Sequence, residues 1–260
     1  DGSDHSNLDL ASDCVALDNS DDLKSLLDEI AHLKIPIALS AVWDAEEEIP
    51  IGFALGRDPS IGHSAWFPFS YLEDEGISDE FRQFLSRDAG IIGHGLKKLI
   101  RSLLALDFPT PKIIMDTEIA AYLLNPSRNS YLLNDLLQEY AKLSVQRGPG
   151  ISEGQLDLDA QGDSNMQQIA IEAASIALLR KPLEDLIKEE GLAQLNNEIE
   201  IPLINVLAEM EFSGIQVDLE GLKRLRDRLE SEVSNVRKKI HQLAGQEFNV
   251  NSTKQLQQVL

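Results

Sequence analysis

Ile35-Pro36-Ile37-Ala38-Leu39-Ser40-Ala41-Val42-Trp43 is the stretch on which the fold turns. It is apolar at almost every position, begins at a proline and ends at the acidic turn Asp44 to Glu48. A strand covered on one face alternates apolar with polar residues, whereas this run reads as a strand buried on both faces. Working outward, Ile51 to Leu55 and Ala65 to Phe69 read as its hairpin partners. Val15 to Leu17 is a short strand, and Ser20 followed by Asp21 and Asp22 marks a helix start, because a serine oxygen caps free amides and acids suit the positive helix end. The helix runs through Leu33 with Leu23, Leu26, Leu27, Ile30 and Leu33 on one face.

Downstream, Glu80 to Leu85 is helical, Gly90 to Gly93 is a short strand, Leu96 to Leu106 has apolar residues at helical spacing, and Lys112 to Met115 is a further strand. From Asp116 the pattern is almost wholly helical, broken at Asn125 to Asn129 and by the Gly- and Asp-rich segment Gln146 to Ser164. No internal repeat is found. Strands first, with helices interleaved and then dominant, predict an α/β fold: a mixed sheet covered by helices, then an all-helical segment after about Asn197.

The formal charge of −21 argues against a nucleic-acid binder taken as a whole, because phosphate neutralisation needs Lys and Arg. The charge is uneven, however. From Asn197 onward 10 acidic and 8 basic residues nearly balance, so the acidic excess lies on the first 196. That asymmetry assigns any DNA contact to the C-terminal part. Cys14, the single cysteine, closes no internal disulfide and reads as a small apolar residue on the first strand. No apolar run approaches the roughly 20 residues that span a bilayer, and Asp1-Gly2-Ser3-Asp4 is unlike a signal peptide, so the reading is a cytoplasmic, nucleoid-associated protein with no membrane contact. A start without Met and an end inside a helical pattern read as a piece of something longer.

The clearest helix is the last long one. Leu222, Leu225, Leu229, Val233, Val236, Ile240 and Leu243 form a stripe that reads as core or as a seam for a partner helix. Lys223, Arg224, Arg226, Arg228, Arg237, Lys238 and Lys239 lie mostly off it, which is the pattern of a solvated face.

Four ordered segments carry a resemblance: Ile199-Glu200-Ile201-Pro202-Leu203, Val206-Leu207-Ala208-Glu209-Met210-Glu211, Gly214-Ile215-Gln216-Val217-Asp218, and the run Glu247 to Leu256. Together they resemble the start of the polymerase domain in the bacterial DNA polymerase I family. Upstream, Ile91-Ile92-Gly93-His94-Gly95-Leu96-Lys97 and Asp116-Thr117 followed by Ala121-Tyr122-Leu123-Leu124-Asn125-Pro126 resemble landmarks of that family's 3′–5′ exonuclease domain. The resemblance implies a ribonuclease-H-like sheet in residues 1–196 and the base of the polymerase thumb in residues 197–260. It also implies replication and repair as the setting, a monomer, and primer-template DNA as the partner of the C-terminal segment. Asn249, Ser252, Thr253 and Lys254 are the positions it places near DNA, where amide, hydroxyl and ammonium groups position a duplex without reading its sequence. Ser252 or Asn251 also reads as a helix cap ahead of Lys254-Gln255-Leu256.

The same resemblance implies a missing site. An exonuclease of this kind uses two metal ions about 3.5–4 Å apart, held by carboxylates because hard divalent cations take oxygen ligands. The family's Asp-x-Glu pair falls on Ser40 and Val42, its second Asp on Leu99, and its Tyr-x-x-x-Asp on Ile169 and Ala173. No catalytic or metal-binding residue is therefore expected here, and no cofactor in this part; the Mg²⁺ of a parent polymerase and its palm carboxylates would lie beyond Leu260. Two other readings compete. One is an active exonuclease with other ligands, such as Asp44, Glu46 and Glu172. Asp44-Ala45-Glu46 keeps the pair's spacing, but using it would slide the whole strand register and put the acids in a turn. The other is an acidic protein-interaction module. His94 has no partner that the sequence assigns, and Asp116 with Thr117 reads as a helix start.

Overall fold

The computed structural model describes residues 6–8, 10–43, 49–58, 63–145 and 162–259. Its contacts divide the chain into two compact units, Asp1–Ser213 and Gly214–Leu260.

The first unit is built on a mixed six-stranded sheet. The strands are β2 (Cys14–Ala16), β3 (Ile37–Trp43), β4 (Pro50–Asp58), β5 (His63–Pro68), β6 (Ile91–Gly93) and β7 (Ile113–Asp116), in the spatial order β2-β5-β4-β3-β6-β7. Strands β3, β4 and β5 form an antiparallel meander, while β6 joins β3, β7 joins β6 and β2 joins β5 in parallel. A separate parallel pair joins β1 (Ser6–Leu8) to β8 (Leu143–Val145). This is the ribonuclease-H-like sheet expected from the sequence, with β3 at its centre.

Both faces of β3 are buried, as its unbroken apolar run requires. Ile37, Leu39 and Ala41 enter one core, together with Phe53, Phe67, Leu96 and Leu99. Ala38 and Val42 enter the other, against Ile169, Ala173 and Ile176. The first core is closed by α1 (Ser20–Ala31), α2 (Glu75–Leu85), α3 (Leu96–Ala105) and α8 (Ile201–Ser213); α1 inserts Leu23, Leu26, Leu27 and Ile30, as its spacing predicts. Helix α2 begins at Glu75, earlier than the apolar pattern marks, because Asp74 caps the amides of Gly76 and Ile77.

The second core lies under α6 (Gly162–Glu189), which crosses β3, β4 and β5. Alanines at 170, 173, 174 and 177 keep its inner face flat. The approach is close enough that a methyl group on Gly56 of β4 would lie 3.1 Å from Ala38 Cβ and 3.6 Å from Ala177 Cβ. Helices α4 (Thr117–Leu124) and α5 (Leu133–Leu136), the latter continued by a π-turn over Leu137–Ala141, flank α6.

A short α7 (Ala193–Leu195) runs through a second π-turn, Asn196–Glu200, into α8. Helix α8 packs on α3 through Ile201, Ile204 and Ala208. Packing thus keeps residues up to Ser213 with the sheet, whereas the family pattern places the domain limit at 196/197.

The second unit holds α9 (Leu219–Ala244) and α10 (Thr253–Val259). Asp218 caps α9 through the Gly221 amide. The apolar stripe is present, but it is not core within this structure: Leu225 is 42% exposed and Val233 58%.

Candidate functional site

The corner where β6 enters α3 is tightly constrained. Gly95 sits at φ +62°, in the left-handed region, and directly precedes α3. Gly93 has no room for a side chain, since an added Cβ would lie 2.2 Å from Leu96 Cδ2. Asp116, at the end of β7 and 1% exposed, binds both helix starts that meet there. Its Oδ1 accepts from the amides of Gly95 (3.1 Å), Glu118 (2.9 Å) and Ile119 (3.3 Å), and its Oδ2 from Leu96 (2.7 Å). One carboxylate therefore caps α3 and α4 together. The sequence reading of Asp116 as a helix start is half of its role.

His94, unassigned from sequence, finds its partner in the same corner. Thr117 Oγ1 donates its only proton to the Gly93 carbonyl (3.2 Å), so it accepts from His94 Nδ1 (2.9 Å). The neutral ring then carries its proton on Nδ1 and leaves Nε2 an acceptor. Burial pushes the imidazole below the usual histidine range, with nearby Asp116 opposing in part. No pattern signal marks His94; only the approach of β6 to β7 supplies Thr117.

Of the five positions that the sequence resemblance singles out, the structure gathers four. Ser40 and Val42 point to the α6 side of β3, and Ile169 and Ala173 face them from α6. Val42 is 6% exposed, Ile169 4% and Ala173 0%, so the interface is filled by hydrocarbon. Leu99 is not with them: it lies in the opposite core, among α3 and α8 side chains. Ser40 donates to Glu172 Oε2 (3.3 Å), and Glu172 also receives a hydrogen bond from Gln168. Burial raises the Glu172 carboxyl above the usual range, and those two hydrogen bonds oppose it. A raised pKa means that the folded state holds this proton more tightly than the unfolded state. Stability from Glu172 is therefore complete below the ordinary glutamate pKa and is lost as pH rises through the folded value. Glu172→Gln is expected to flatten that part of the pH–stability profile, measured by urea denaturation across mildly acidic pH.

Glu172 and His94 line one cavity of about 220 Å³ with Gln168, Asn134, Ser175 and the apolar Leu132, Leu133 and Ile171. Among the described residues no group of three or more His, Cys, Asp or Glu side chains is arranged to hold a metal ion. Asp44 and Glu46, the alternative ligands, lie outside the described residues.

In the second unit the candidate DNA residues share one turn. Asn249 Oδ1 accepts from the Asn251 amide (3.0 Å), the Ser252 amide donates to the Asn249 carbonyl (2.9 Å), and Ser252 Oγ accepts from the Gln255 amide (3.4 Å). Ser252 is thus the cap of α10, as the sequence allows. His241 on α9 donates from Nε2 to the Phe248 carbonyl (2.9 Å) and packs on its ring, tying this turn to the end of α9. Lys254, on the first turn of α10, is exposed.

No family model matches the chain. Curated proteins do: DNA polymerase I of Helicobacter pylori is 30% identical over 252 residues, covering 95% of this chain. The chain is a homologue of part of bacterial DNA polymerase I. DNA polymerase I of Geobacillus stearothermophilus is 32% identical over 149 residues, 57% of this chain and 17% of that protein. The chain spans 27% of the length of the Helicobacter relative. Among solved structures, the POL domain of Pol1 from M. smegmatis, in complex with DNA primer-template and dNTP, superposes with a TM-score of 0.75 at 22% identity, over 95% of this chain and 40% of that one, which supports the fold. Among the described residues no helix is long and apolar enough to cross a membrane.

Proposed function

We propose that this chain is the part of a DNA-directed DNA polymerase I in which a degenerate exonuclease-like domain adjoins the DNA-contacting start of the polymerase domain. Residues 1–196 form the degenerate domain and residues 197–260 the base of the thumb. The observation that carries this reading is the hydrocarbon packing of Val42, Ile169 and Ala173 where the family's metal ligands would stand. A two-metal mechanism needs anionic oxygens on both sides of the ions, and the carboxyl that reaches this contact, Glu172, is driven toward its uncharged form by burial. Burial of apolar side chains there stabilises the sheet–α6 contact by about 25 cal/mol per Å². The domain then serves as a scaffold, and synthesis, with its Mg²⁺, belongs to the polymerase domain of the parent protein.

The test is degradation of a 3′-labelled single strand with Mg²⁺ or Mn²⁺, alongside a metal titration. The expected result is no shortening and no metal uptake. Metal-dependent cleavage lost in Asp44→Asn, Glu46→Gln or Glu172→Gln would instead establish a nuclease with unusual ligands.

Asn249, Ser252, Thr253 and Lys254 form the proposed contact with primer-template duplex. Lys254 is the cation of that set, so Lys254→Ala is expected to weaken duplex binding equally for all sequences. It should reduce the slope of log K against log salt by about 0.9, the release associated with one phosphate contact. Fluorescence anisotropy of a labelled primer-template over a salt series measures both effects.

A further inference from the structure

We infer that the cavity between the β6–α3 corner, α5 and α6 is a metal-independent binding site for a small uncharged molecule with an amide or lactam edge. In this site His94 Nε2 receives the ligand N–H, and the side-chain amide of Gln168 donates to the ligand carbonyl. The inference stands on the cavity and does not require the DNA-facing role of the second unit.

The tautomer supplies the acceptor. With Thr117 donating to the Gly93 carbonyl, Nδ1 carries the proton; turning it toward the cavity would make Thr117 donate to Nδ1 and would break the Thr117–Gly93 bond. The donor comes from α6, where Gln168 gives one N–H to Glu172 and its amide carries a second. Glu172 is itself fixed by Ser40, so Gln168 is oriented from below by a bond that begins on the central strand. Leu132, Leu133 and Ile171 provide flat apolar walls beside these polar atoms. A few fixed polar groups among apolar walls is the usual make-up of a small-molecule site.

Size and charge narrow the ligand. About 220 Å³ is below the roughly 300–1,000 Å³ of pockets for drug-sized molecules, and at about 30 Å³ per water it equals roughly seven waters, the room of a single ring. The two titratable side chains on its wall are His94 and Glu172, and burial drives each toward its uncharged form. Among the described residues no Lys or Arg lines it, and the surrounding unit is strongly acidic, which disfavours a phosphorylated ligand. An uncharged amide edge offers the complementary donor and acceptor without bringing a charge into this site.

The experiment uses uracil, a neutral ring with such edges, added to the 260-residue protein in EDTA while the His94 ring resonances are followed by NMR. A saturable shift is expected. Gln168→Leu, at a partly exposed position on α6, should weaken uracil about tenfold while leaving the fold intact, the order of one hydrogen bond. Glu172→Gln should retain binding. Uridine monophosphate and methylammonium serve as charged comparisons and should bind more weakly than uracil. The inference is overturned by an unmoved His94, by methylammonium or the nucleotide matching uracil, or by binding that appears only when Mg²⁺ is added. Failure to bind uracil leaves the proposed loss of nuclease activity standing, since strand degradation is read separately.

Discussion

Asp116→Ala is expected to lower the unfolding free energy by about 3–5 kcal/mol, because its one carboxylate caps two helices at once. Four backbone amides, those of Gly95, Leu96, Glu118 and Ile119, lose their acceptor; the Leu96 bond is buried and the other three are partly buried. Each unsatisfied buried amide costs on the order of 1–3 kcal/mol, reduced where neighbouring turns relax. An ordinary helix cap holds one helix and costs about 1 kcal/mol when removed. Asp116→Asn keeps one acceptor oxygen but presents an NH₂ to amides that need acceptors, so it should fall between wild type and alanine. Urea denaturation followed by circular dichroism measures the series. A loss below 1 kcal/mol for Asp116→Ala would mean that α3 and α4 are held by their apolar faces alone. The same substitution removes the Asp116 charge that acts on His94, so the His94 resonances should move even in the folded fraction.

Phe81→Ala should cost a similar amount, about 3–5 kcal/mol, for a different reason. Phe81 is fully buried, and its ring centroid lies 5.4 Å from Phe53, 6.0 Å from Phe67, 5.7 Å from Phe84 and 5.5 Å from Phe108. It joins the sheet to α2 and to the loop after α3. Truncation removes transfer energy and leaves a void that four rigid rings cannot collapse to fill. Phe81→Leu keeps most of the volume and should cost much less, near 1.5 kcal/mol. The denaturant midpoint should fall in both variants with an unchanged slope, which separates lost packing from a change in the unfolded chain.

Much of the architecture was legible because it depends on periodicity. The stripe of α1, the double-sided apolar run of β3 and the hairpin that follows it all appear in the structure where the pattern places them, to within a few residues. Element limits moved where a cap, rather than an apolar residue, sets the end; Asp74 starting α2 is the example. Less of the candidate site could be read. Ser40, Val42, Ile169 and Ala173 converge, but Leu99 enters the other core, and a linear pattern carries no statement of which side of a sheet a following helix covers. The partner of His94 depends on β6 lying beside β7, a pairing between residues far apart in the chain.

By itself the sequence determined the α/β class, the order of strands and helices, and the acidic first part with its nearly neutral end. These follow from residue type and spacing, which are local. Only the tertiary structure decided that Asp116 serves two helices, that His94 is paired with Thr117 and pushed toward its neutral form by burial, that Glu172 is fixed by Ser40, and that the packing keeps α8 with the sheet up to Ser213. Each of these depends on burial and on hydrogen bonds between distant segments, and neither exists until the sheet has formed.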